Sequence, residues 1–110
     1  AAGSRICLVS DSVSWRNHSG SRPGVEIRNG APRLSDDTLA GSCTPLGECV
    51  QRVVQDCGVP LQSALASATS VPADLVGLAD VGRIKVGQKV DLLALDSELS
   101  VLKAWRRLPS

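Results

Sequence analysis

The 110-residue sequence predicts an α/β chain on three observations. An apolar run, Ile6-Cys7-Leu8-Val9, halts at Asp11 between two serines, as a buried parallel strand does when its carboxyl end carries a carboxylate. Leu46, Val50, Val53, Val54 and Cys57 recur at three- and four-residue intervals and draw one apolar stripe along a helix. Two further apolar runs, Val90 to Leu95 and Val101 to Trp105, read as closing strands. The predicted order is strand, hairpin, helices, strands.

Taken along the chain, the first strand ends in two ways that remain open. Asp11 is either a catalytic carboxylate at a strand end or the cap of a turn or helix. Residues 14–24 (SWRNHSGSRPG) gather Ser, Asn, Gly and Pro without apolar periodicity and predict an exposed loop. Val25 and Ile27 alternate with polar residues before Asn29-Gly30, a pair suited to a tight hairpin turn, so a β-hairpin ending near Leu34 follows. Thr44 can cap the main helix, Pro45 suits its first turn, and Gly58 ends it. A second helix from about Pro60 places Leu61, Ala64, Leu65 and Ala68 on one face, and Pro72 opens a third through Leu75 and Val76. Gly82 and Gly87 then frame a short β segment before the closing strands.

Composition removes several functions. Twelve Lys and Arg stand against eleven Asp and Glu, a net charge of +1, which argues against nucleic acid or acidic membrane surfaces. Trp15 and Trp105 are the only aromatics, so base-stacking platforms are excluded and the core must be built from Val, Leu, Ile and Ala. No run approaches the roughly 18 apolar residues of a membrane span. Cys7, Cys43, Cys49 and Cys57 form no CxxC pair and His18 is remote from them, so no zinc site is expected; Cys49 and Cys57 read as small buried hydrophobes of a reducing cytoplasm. A start without Met, a few residues before an apolar strand, reads as a chain that begins within a longer one.

Three stretches, "LVSDSV", "DDTLAGS" and "GRIKVGQKVDLLALD", resemble in this order the carboxyl-terminal part of the N-acetylglucosamine-6-phosphate deacetylase family, within the amidohydrolase superfamily. Between the last two, "GVPLQSALASATSVPADLVGL" is similar to the segment the family carries there. The resemblance implies a carboxyl-terminal fragment of a (β/α)8 TIM-barrel enzyme. Residues 1–81 would hold the last barrel strand, the β-hairpin and the helices, and residues 82–110 the terminal strands of the small β-sandwich domain. It implies that Asp11, at the end of the eighth strand, moves the proton in hydrolysis of an acetamide, and that Ala40, Gly41 and Ser42 border an amino-sugar phosphate substrate. A Gly-Ser pair entering a helix is otherwise a turn plus a cap. The family's divalent metal, zinc or similar, implies ligands from earlier strands, so this chain is expected to bind none alone and to be inactive by itself. His18 is left outside the site. A cytoplasmic enzyme, with a homodimer as an allowed assembly, completes what the resemblance implies. Two alternatives stand beside it: another amidohydrolase, dihydroorotase-like or deaminase-like, and a degenerate non-catalytic module.

Overall fold

The computed structural model describes residues 5–13 and 24–106, so Trp15 and His18 lie outside the described residues. The chain forms two compact units, one from Ser10–Pro45 and one from Ala1–Val9 with Leu46–Ser110.

In the first unit, β1 (Glu26–Arg28) pairs antiparallel with β2 (Ala31–Arg33), with Arg28 opposite Ala31. The two residues between them both take positive φ, Asn29 at 51° and Gly30 at 74°. That backbone twist matches the twist of the flanking strands, which is why Asn-Gly selects a two-residue hairpin. Pro32 is fully buried. Beyond β2 the chain turns on Asp36, whose carboxylate accepts the Thr38 N–H at 3.0 Å, and Arg33 and Leu39 then form an antiparallel bridge. Hydrogen bonding from Thr38 holds the Asp36 carboxyl below its ordinary pKa.

The second unit carries three short helices: α1 (Leu46–Gln55), α2 (Leu61–Ala68) and α3 (Ser70–Leu75). α1 follows the predicted stripe in part, with Val50 buried and Val53 and Val54 half-buried; Leu46 at its start is exposed, and Cys57 is exposed rather than buried. The reason is local: α1 stops at Gln55, two residues short of Cys57. The expected Thr44 cap is also corrected, because α1 begins at Leu46 and the Thr44 N–H is itself held by the Ser42 hydroxyl. α3 starts at Ser70, two residues before Pro72, which still falls in the first turn where a missing N–H costs nothing. Small residues bring the helices together: Ala64 and Ala73 are buried, and Ser67 is buried with its hydroxyl donating to the Ala64 carbonyl at 2.6 Å.

β3 (Asp91–Leu95) and β4 (Val101–Arg106) form an antiparallel ribbon with a bulge at Ala94/Leu95. Asp96 builds its turn, its carboxylate accepting the N–H groups of Glu98 and Ser100, both at 2.9 Å. Gln51 and Gln55, one helical turn apart on α1, both donate to the Glu98 carbonyl, at 3.3 and 3.2 Å, and so tie helix to ribbon.

Two predicted strands are absent from the described residues. Ile6 to Val9 form no strand; the segment is fixed by the Leu8 N–H donating to the Ser67 carbonyl at 2.8 Å, with Ile6 and Val9 exposed. The segment between Gly82 and Gly87 is likewise no strand, and Val86 is fully exposed. The cause is the same in both: a strand exists only as half of a ladder, and no described strand lies beside either run.

Arg83 anchors that second segment to α3 through two hydrogen bonds to the Asp74 carboxylate, at 2.8 and 2.6 Å. Hydrogen bonding from Arg83 lowers the Asp74 pKa below 3.8. A depressed carboxyl pKa contributes stability that is complete above the unfolded value, about pH 4, and is lost as pH falls through the folded value. The difference in melting temperature between the parent and Asp74→Asn is therefore expected to be full at pH 6 and to diminish as pH falls below about 4, as thermal melts across that range would show. Both side chains are substantially exposed, so the difference should also shrink in high salt.

Candidate functional site

All four residues singled out from the sequence, Asp11, Ala40, Gly41 and Ser42, fall in the Ser10–Pro45 unit, and the structure brings them together. Asp11 takes a left-handed backbone, φ 53°, one of few such non-glycine residues among the described ones. Asp tolerates this region better than most side chains, yet the conformation must be held by neighbours. It is held across the chain: the Ser42 N–H donates to the Asp11 carbonyl at 2.8 Å, and Ser12 and Ser42 form an isolated parallel bridge.

The other end of the segment is anchored to the hairpin. The Ala40 N–H donates to the carbonyl of buried Pro32 at 2.8 Å, so β2 sets the path of residues 40–42. Arg28 and Arg33 steady the intervening turn. Arg28 donates to the Leu34 carbonyl, Arg33 donates to the Asp37 carbonyl at 2.9 Å, and both guanidinium groups approach the Asp37 carboxylate, at 3.7 and 3.9 Å. These arginines escaped the sequence reading; their only signal was their place on either side of Asn29-Gly30.

Three chemical properties follow. The Asp11 residue is exposed, and among the described residues no hydrogen bond or ion pair engages its carboxylate. The Ser42 hydroxyl accepts the Thr44 N–H at 2.9 Å, the cap-like role open from the sequence, and keeps its own hydrogen to donate elsewhere. The Ser10 and Ser12 hydroxyls, on either side of Asp11, are joined at 3.1 Å. The structure therefore presents an exposed carboxylate, unengaged among the described residues, on a backbone tied to that of Ser42.

The sequence profile of the amidohydrolase family matches residues 1–109. The chain belongs to the amidohydrolase family. Among curated amidohydrolase relatives it is 30% identical over 110 residues to the N-acetylgalactosamine-6-phosphate deacetylase of Escherichia coli O157:H7, covering 94% of this chain and 29% of that protein. It is 28% identical over 112 residues to the N-acetylglucosamine-6-phosphate deacetylase of Vibrio furnissii, covering 94% of this chain and 27% of that protein. The crystal structure of the Pasteurella multocida N-acetylglucosamine-6-phosphate deacetylase superposes with a TM-score of 0.84 at 29% identity, over 94% of this chain and 29% of that one. The chain thus spans under a third of the length of these relatives.

Amidohydrolases generally use a divalent metal. Among the described residues no group of three or more His, Cys, Asp or Glu side chains is placed to hold one, so the residues present do not fit a complete metal site. Among them, too, no helix is long and apolar enough to cross a membrane.

Proposed function

We propose that this chain is the carboxyl-terminal part of an enzyme that hydrolyses the acetamide of N-acetylglucosamine 6-phosphate to glucosamine 6-phosphate and acetate. Residues 1–81 are read as the end of its (β/α)8 barrel and residues 82–110 as strands of its small β-sandwich. The observation that carries the proposal is Asp11, its carboxylate unengaged among the described residues and its backbone tied to Ser42, in a chain that matches the deacetylases over 94% of its length.

The chemistry asked of Asp11 is proton transfer in both directions. As water adds to the acetamide carbonyl, its proton passes to the Asp11 carboxylate; as the carbon–nitrogen bond breaks, the proton passes on to the departing sugar amine. An amine anion is too basic to leave unprotonated, so the second transfer is as necessary as the first. Residues 40–42 contribute close approach of backbone and the Ser42 hydroxyl hydrogen, which is free to meet a phosphate or sugar oxygen. No step is assigned to a metal, because the described residues supply no ligand set for one.

Ser42→Ala removes one donor while leaving Asp11 in place. The expected result is a rise in KM of about 2- to 13-fold, the range of a neutral hydrogen bond, with kcat nearly held. A phosphate as acceptor would enlarge it.

The function is tested by incubating the full-length protein with N-acetylglucosamine 6-phosphate and measuring acetate and free amine. Equal release of both supports the proposal. Release only from the galactosamine epimer, the substrate class in the name of the Escherichia coli relative, would keep the mechanism and replace the sugar. Release from neither would favour another amidohydrolase substrate or a non-catalytic module.

A further inference from the structure

Of the described glycines in the Ser10–Pro45 unit, Gly41 is the one whose Cβ position is crowded. Its φ is 146°, and a Cβ built on it would stand 2.6 Å from Val13 Cγ1, 3.1 Å from Val13 Cγ2 and 2.8 Å from the Asp11 carbonyl oxygen. Real Cβ atoms do not approach so near, and one of the obstacles is backbone, which cannot swing aside. That same carbonyl oxygen accepts the Ser42 N–H at 2.8 Å, and Ser12 bridges Ser42 on the next residue. The absence of a side chain at 41 is thus the condition for the two backbones to meet at Asp11.

We infer that Gly41 is a positioning residue for proton transfer: it lets residues 40–42 press against Asp11–Val13 so that the Ser42 N–H fixes the left-handed Asp11 backbone and with it the aim of the Asp11 carboxylate. The inference rests on Asp11 being the proton carrier. It gives Gly41 a role distinct from making room for substrate, since the contacts that exclude a side chain come from the protein itself. A methyl group at 41 must push the segments apart, lengthen the Ser42–Asp11 hydrogen bond and turn the carboxylate. Displacing a reacting group by about 1 Å can cost on the order of 10²-fold in rate.

The experiment compares Gly41→Ala, Val13→Ala and the pair together with the parent, in the full-length enzyme. Gly41→Ala is expected to lower kcat by about 10- to 100-fold with KM changed less than about threefold, and to speed hydrogen exchange at the Ser42 amide. The pair removes the Val13 methyl groups but leaves the carbonyl contact, so its kcat should lie between those of Gly41→Ala and Val13→Ala. If Gly41→Ala fails to fold, the pair measured against Val13→Ala carries the test and should still be slower. A rise in KM with kcat and Ser42 exchange unchanged, in either variant, would overturn the inference and return Gly41 to substrate contact. Failure of the underlying assignment looks different: Asp11→Asn would retain turnover while Gly41→Ala still accelerated Ser42 exchange.

Discussion

Asp11→Asn in the full-length enzyme is expected to lower kcat by about 10² to 10⁴-fold while substrate still binds, the range for loss of a general acid–base group. The structure makes this substitution a clean one. Asn is among the few residues that accept a left-handed backbone, so the φ of 53° at this position is kept without added strain. No described side-chain bond of Asp11 is lost, and the Ser42 N–H bonds to its backbone carbonyl, which Asn also carries. What disappears is the carboxylate proposed as the base. Steady-state kinetics with acetate as readout, at equal metal content confirmed by elemental analysis, separates this loss from an indirect one. Near-normal turnover by metal-matched Asp11→Asn would sink the assignment and leave Asp11 as a turn residue.

The second large effect is on stability and comes from Gly82→Ala. Gly82 has φ 85°, and a Cβ there would meet the Ala73 Cβ and the Thr69 carbonyl oxygen at 2.9 Å and the Ser70 Cα at 3.2 Å. Ala73 is buried, and the other two atoms are backbone at the α2–α3 junction, so none can yield cheaply. The left-handed backbone costs about 1–2 kcal/mol for a residue with a Cβ, and overpacking typically adds about 1–3 kcal/mol. A loss of about 2–5 kcal/mol is expected, read as a lowered denaturant midpoint at unchanged slope. A loss below about 0.5 kcal/mol, the scale of an ordinary surface substitution, would show that the junction opens freely and that Gly82 is not a packing glycine.

The parts of the fold legible in the sequence are those decided within a few residues. Asn29-Gly30 specifies its hairpin because the positive φ values are demanded on the spot. The α1 stripe is legible because its period is a property of one helix, although its end at Gln55 fell short of Cys57. Ile6 to Val9 and the segment at Ile84 are apolar and β-branched in part, yet strand formation depends on a partner that their own residues cannot declare. The candidate site shows the same division. Asp11 was visible as an acid ending an apolar run, whereas its backbone geometry and its tie to Ser42 arise from residues 31 positions apart in the chain. The only local trace of that tie was the small-residue run Ala40-Gly41-Ser42.

The bridge between Ser12 and Ser42 also has a kinetic meaning. Bringing those two residues together closes a loop of about 30 residues, at an entropic cost near 3 kcal/mol plus a constant, before any local bond returns it. Pairing of β1 with β2 and of Arg33 with Leu39 comes from near neighbours in the chain and shortens the stretch left to close. Local pairing therefore favours formation of the hairpin before closure of the Asp11 turn. By the same argument, partial unfolding is expected to release the Asp11 geometry proposed for proton transfer while the hairpin still stands.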